Sequence, residues 1–362
     1  MSLAARLRDP LAVDEEWLLA GEEAPLDSDL PLIDAHHHVF WDRPMRYRVE
    51  DLLADLTSGH NVRATVYVEG EAIHRPDGPQ HLRSVGETEF ANGLAAIGAA
   101  VPGPLICAAI VAAVDLQDAF ADQALTAHAA AAGERLRGVR VNAYYDERGV
   151  MSQSPPRGLL SAKGFREGYS LLGEHQLVCD IFCFHPQLAE VADLAAAFPD
   201  TVIVLNHLGG PLGGAASAQT RERAHLDWLE GMNLIAACAN VYVKLGGLTN
   251  PFIQDIDFRS DASGPSSARV AEALRRFVEP VFELFGPARC MFESNFPIDK
   301  PTVSYVNLWN AFKRLATALD PDGRALVLGG TAGQVYGLGG CLERLSSAPP
   351  ADPVTGHSDI SR

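Results

Sequence analysis

The chain has 362 residues, 47% hydrophobic and 21% charged, a profile that excludes a mainly disordered or fibrous protein. Its length predicts about two ordinary domains or one large domain of the barrel kind. Acidic residues outnumber basic ones 46 to 29, for a net charge of −17, which argues against binding nucleic acid or an anionic membrane.

The longest apolar runs, around Ile203 and Val243, are far shorter than a membrane span. The start MSLAARLRDP lacks the basic-then-apolar layout of a secretory signal, so a cytoplasmic location is expected. Cys107, Cys179, Cys183, Cys238, Cys290 and Cys341 show no CxxC or finger spacing. They are expected to pack as small hydrophobes rather than form disulfides.

Residues 1–30 read as an N-terminal arm, with a short amphipathic segment around Trp17 and then an acidic stretch. From residue 31 a rhythm begins. Short β-branched runs start at Leu32, Arg63, Ile106, Arg137, Val178, Val202, Val241 and Arg289. Stretches of helical period follow them, such as VEDLLADL and QLAEVADLAAAF. The alternation predicts parallel strands with crossover helices. Eight such units predict a (β/α)8 TIM barrel over residues 31–340. No GxGxxG follows the first run and no P-loop is present. Residues 341–362 are expected to form a polar, disordered tail.

A barrel carries its chemistry at the C-terminal ends of its strands. The first run ends in His36, His37 and His38. Strand alternation puts His36 and His38 on one face and His37 on the other. The second run ends at Glu69, and the fourth carries Arg140 and Asn142. The fifth ends at His185, the sixth at Asn206 and His207, and the seventh has Lys244. The eighth ends in Glu293, Ser294 and Asn295, with Asp299 beyond.

A lone strand-end histidine is commonly a satisfied hydrogen-bonding residue. Arg140 and Lys244 read either as structural ion-pair partners or as holders of an anion. Histidines gathered at the ends of three runs point further, to a polar mouth able to bind a metal or move protons.

The segment Asp34-Ala35-His36-His37-His38 resembles the DxHxH opening of the amidohydrolase superfamily, closest to its "amidohydrolase 2" branch. RGVR from Arg137, FHPQ from Phe184, LNHLGGP from Leu205, VKLGG from Val243 and FESNFP from Phe292 agree in order. The resemblance spans about residues 31–338. It implies a barrel enzyme acting on small molecules: lactonases, several of them metal-free, or metal-dependent nonoxidative decarboxylases. It also implies a divalent metal, zinc first, on His36, His38 and His185, with a catalytic or polarising role for His207. The branch usually has an aspartate where this chain has Asn295, and an amide is no general base. Asp299, His207 and Glu293, in that order, are the expected substitutes.

The expected function is therefore hydrolysis of a small, carboxylated lactone. Arg140 and Lys244 would hold the substrate, with Glu69 and His37 beside them. A decarboxylase or carbon–carbon hydrolase and a non-catalytic metabolite-binding barrel are the alternatives. A small-molecule substrate and homo-oligomerisation are the expected partnerships.

Overall fold

Eight strands, each rich in Val, Ile, Leu and Ala, carry the architecture in the computed structural model. It describes residues 9, 11–41, 45–147, 154–213, 217–250, 256 and 258–343. The strands are β1 (Pro31–His37), β2 (Asn61–Val68), β3 (Leu105–Ala113) and β4 (Leu136–Asn142), then β5 (Val178–Phe182), β6 (Ile203–Leu205), β7 (Val241–Leu245) and β8 (Cys290–Phe292). Every neighbouring pair is parallel, in sequence order from β1 to β8. At the mouth, the Asn295 amide donates to the His36 carbonyl at 2.9 Å and the His38 amide to the Phe296 carbonyl at 2.8 Å. These bonds tie the end of β1 to the segment after β8, so the sheet curls into a barrel.

The main helices are α1 (Glu15–Ala20), α2 (Val49–Leu56), α3 (Val85–Ala99), α4 (Ala121–Ala132), α5 (Lys163–Glu174), α6 (Leu188–Ala197), α7 (Ala218–Ala236), α8 (Ser267–Phe285) and α9 (Tyr305–Ala316). In α8 the apolar residues Val270, Leu274, Phe277, Val281 and Phe285 recur every three or four positions and are buried, so one stripe faces the strands. Ser266 caps that helix by accepting from the Arg269 amide.

Strand alternation builds two apolar layers. Tyr67, Ile110, Val139 and Ile181 pack outward with the helices. Ala35, Ala64, Val66, Ala109, Val111, Val204 and Met291 form a separate inner cluster. Small side chains suit that narrow interior. No helix among the described residues is long and apolar enough to cross a membrane.

The arm is docked on the barrel. The Trp17 indole donates to the Asp261 carbonyl at 3.0 Å. Glu23 accepts from the Ser267 amide at the start of α8 at 3.0 Å. Lys313 of α9 donates to the carbonyls of Leu26 and Asp27 at 2.7 and 2.9 Å. A last short helix, Gly339–Glu343, buries Cys341, so folded structure passes the expected end at residue 340. The rest of the expected tail lies outside the described residues.

Candidate active site

Two histidines from β1 and its end, one from the turn after β6 and one carboxylate from the end of β8 meet at the mouth. Nε2 of His36 lies 3.2 Å from Nε2 of His38. Nδ1 of His38 is 2.8 Å from the Val68 carbonyl. A carbonyl only accepts, so that nitrogen carries the proton and Nε2 of His38 keeps a lone pair. Glu293 sits behind these rings. Its Oε1 accepts from Nδ1 of His207 at 2.7 Å and from the His207 amide at 3.2 Å. Its Oε2 lies 2.9 Å from Nδ1 of His36 but has no hydrogen bond among the described residues.

Local backbone makes this packing possible. His207, Leu208, Gly209 and Gly210 all have positive φ, a left-handed turn that swings His207 over the mouth. A left-handed non-glycine residue costs about 1–2 kcal/mol. The Trp228 indole helps hold the turn by donating to the Leu208 carbonyl at 2.8 Å. The two glycines after β7 make the room. A Cβ on Gly246 would stand 2.5 Å from Cγ of Glu293, and one on Gly247 2.2 Å from Nδ1 of His207. The GG of the VKLGG motif is thus required by close approach.

The expected substrate-holding cations already have partners. Arg140 donates through Nε to Glu69 Oε1 at 2.5 Å and through Nη2 to the Glu69 carbonyl at 2.6 Å. Asn142 donates to the same carboxylate at 3.3 Å. Lys244, fully buried, donates to Asp180 at 2.7 Å. Asn206 and Tyr336 also donate to Asp180, both at 2.8 Å. Asp180 went unnoticed in the sequence, although a carboxylate inside the apolar run VCDIFCF was its signal. Glu69 and Arg140 also border a cavity of about 530 Å³.

Asn295 donates to Asp299 at 2.6 Å, and the Thr249 hydroxyl donates to its other oxygen. Burial lifts the Asp299 carboxyl to about 6. Both of its oxygens are engaged in holding neighbours. Nε2 of His37 is 2.8 Å from the Thr65 hydroxyl, turned away from the His36–His38 pair. The structure does not bring His185 into the cluster. Its Nδ1 accepts from the Leu212 amide at 3.1 Å, and it borders a groove beside Leu188, Asp227 and Leu234.

Burial, followed by the positive charge of Lys244, holds the His36 pKa well below its ordinary value. Burial and then Arg140 do the same for His38. Both rings are therefore neutral, the form in which imidazole binds metal. Two imidazole nitrogens 3.2 Å apart suit adjacent positions on one tetrahedral ion, with bonds of about 2.0–2.1 Å. The Glu293 oxygen 2.9 Å from Nδ1 of His36 places a carboxylate behind that ring, as second-shell carboxylates do. Among the described residues, donor atoms of His36, His207 and Glu293 also lie within 4.8 Å of one another. The residues present thus fit a divalent cation.

The barrel thus brings strand-end histidines and a buried strand-end carboxylate together at one mouth. Residues 33–338 match the profile of the amidohydrolase family, and the chain belongs to that family. An L-fucono-1,5-lactonase of Burkholderia multivorans is 28% identical over 310 residues, covering 84% of this chain and 96% of the relative. An uncharacterized protein of Sinorhizobium fredii is 26% identical over 333 residues, 85% of this chain and 99% of the relative. A crystal structure of a Burkholderia multivorans amidohydrolase with bound HEPES superposes with a TM-score of 0.67. It is 25% identical and covers 85% of this chain and 99% of its own. Another, from the same organism with zinc bound, has a TM-score of 0.65 at the same identity and coverage. The protein is an enzyme of the hydrolase type.

Proposed function

We propose that the protein opens the ring of an uncharged, polyhydroxylated lactone of the sugar-acid kind. The observation carrying this reading is the His207–Glu293 hydrogen bond beside the His36–His38 pair. Because Glu293 accepts from Nδ1, the tautomer of His207 is fixed with its lone pair on Nε2. That nitrogen takes a proton from water as the water oxygen attacks the lactone carbonyl carbon. Negative charge on Glu293 stabilises the imidazolium that forms. The carbon–oxygen ring bond then breaks, and the proton passes from Nε2 to the departing alkoxide, leaving a hydroxy acid. A divalent ion held by His36 and His38 would polarise the carbonyl as a Lewis acid.

Pairing of Arg140 with Glu69 and of Lys244 with Asp180 supports an uncharged substrate over the carboxylated one expected from sequence. Neither cation is spare to offset a substrate charge. The Glu69–Arg140–Asn142 cluster instead offers mixed donors and acceptors, which suit hydroxyl groups. The likeness to the L-fucono-1,5-lactonase supports the same class.

The test is a panel of L-fucono-1,5-lactone, 2-pyrone-4,6-dicarboxylate and an aromatic carboxylic acid, followed by proton and carbon dioxide release. Proton release with the sugar lactone alone is expected. Carbon dioxide release, or preference for the dicarboxylate, would overturn the reading.

A further inference from the structure

At the opposite, N-terminal end of the barrel lies a second cavity, of about 310 Å³, at the starts of β3 and β4. Arg135 and Arg137 face it, against apolar walls that include Ala95, Ile106, Leu338 and Cys341. Arg137 opens the RGVR motif, of which the mouth uses only Arg140. We infer that this cavity is a binding site for a small amphipathic carboxylate, held by Arg137 and Arg135 with its apolar body against the walls.

Three observations carry the inference. Among the described residues Arg137 has no hydrogen-bond or ion-pair partner, and its Nε is buried without one. Arg63 of β2, outside the cavity lining but within charge range of Cys341 on its wall, is only 8% exposed, and among the described residues its Nε is likewise orphaned. Among the described residues its one hydrogen bond goes to the neutral Asn61 side chain at 3.3 Å. Burial pushes the Arg63 guanidinium below the usual arginine range.

A guanidinium nitrogen buried without an acceptor is costly. The chain has 46 acidic residues for 29 basic ones, so protein carboxylates are in ample supply. The carboxylate on this cavity wall, Glu134, is exposed. Arg135 is steadied by donating to Asn92 at 2.9 Å, which preorganises one side of the site. A carboxylate meets a guanidinium fork in a bidentate way. The volume lies at the lower end of small-molecule sites, and the apolar walls favour a short alkyl or aryl body over a bare inorganic anion.

Hexanoate is the probe, titrated calorimetrically into the full chain, with hexan-1-ol and inorganic phosphate as comparators. One hexanoate per chain is expected, with hexanol and phosphate far weaker. Arg137→Gln should weaken hexanoate by about tenfold or more, the worth of one charge-assisted bond. Ala99→Phe, on an exposed wall position, keeps both cations and should block the site. It keeps the test decisive where Arg137→Gln fails to fold. His207→Asn at the distant mouth should leave hexanoate binding unchanged. No hexanoate binding, phosphate binding as tight as hexanoate, binding indifferent to both cavity variants, or binding lost in His207→Asn would each overturn the proposal.

Discussion

The two sides of the mouth handle charge in opposite ways. At the ends of β2, β4, β5 and β7, Arg140 is closed by Glu69 and Lys244 by Asp180, with Lys244 Nζ also 3.4 Å from Nδ1 of His36. At the ends of β1 and β8, His36 and His38 are neutral imidazoles, and among the described residues one oxygen of Glu293 has no hydrogen bond. Closed pairs fix a shape, while open lone pairs and an orphaned carboxylate oxygen are free to take a proton or a cation. The proposed function places the chemistry at the open groups and the substrate's shape at the closed pairs.

Removing His207 tests the open side and should have the largest effect. General-base assistance is worth about 10²–10⁴-fold, so His207→Asn should lower kcat on the sugar lactone by that factor, roughly 3–5 kcal/mol of barrier. Glu293→Gln should cost most of the same, with KM little changed. Asp299→Asn should cost less than about tenfold, because that carboxylate already holds Thr249 and Asn295. A larger loss at Asp299 than at His207 would move the base to the loop. Exhaustive chelation should slow turnover and added zinc restore it. Unchanged rates after metal removal would overturn a metal-holding role for the His36–His38 pair.

On the closed side the expected change is in stability. Asp180→Asn leaves Lys244 charged and fully buried, which costs roughly 3–5 kcal/mol. Denaturant unfolding should show this loss, and adding Lys244→Met should recover much of it. A neutral result for Asp180→Asn would mean that the pair does not hold this side shut.

Much of the fold was legible because the barrel repeats one simple pattern eight times. Apolar runs such as VYVKL and VCDIFCF lie where strands form, and their polar ends mark the mouth. Pairing was not legible, because it depends on register and side-chain reach across strands. Arg140 and Asp180 stand opposite each other on β4 and β5, yet each finds its partner elsewhere, on Glu69 and Lys244. His185 shows the same limit. β5 stops at Phe182, three residues short of it, so strand alternation no longer decides where that ring points. The Glu293–His207 contact was hidden too, although the two glycines that make room for it were in plain view.

A pH experiment probes the closed side more gently. Glu87, buried behind Glu69, accepts from the Gly70 amide at 2.6 Å and the Tyr67 hydroxyl at 2.9 Å. Burial, then the nearby Glu69, raises its carboxyl to about 8. The folded chain thus keeps a proton that the unfolded chain releases above about 4.5. This group's contribution to stability must therefore fall as pH rises from about 4.5 to about 8, by up to about 1.4 kcal/mol per pH unit. Glu87→Gln should remove that slope in unfolding measured across the window. An unchanged slope would place the titration in another group.

The smallest expected effect separates the two roles open to Arg140. Its Nε and Nη2 reach two different acceptors of Glu69, the carboxylate and the main-chain carbonyl. Lysine has no planar fork and cannot reproduce that pair of bonds. Arg140→Lys should therefore loosen Glu69 and raise KM by about tenfold or less, roughly the worth of one hydrogen bond, with kcat nearly intact. The informative comparison is between an uncharged sugar lactone and a carboxylated one. If Glu69 already offsets the guanidinium, Arg140→Lys affects both substrates alike. If Arg140 holds a substrate carboxylate, the loss is concentrated in the carboxylated lactone, and Glu69→Gln, by freeing the cation, improves that substrate alone. That second pattern would erase the contrast between the two sides, making Arg140 a direct participant in binding rather than part of the wall.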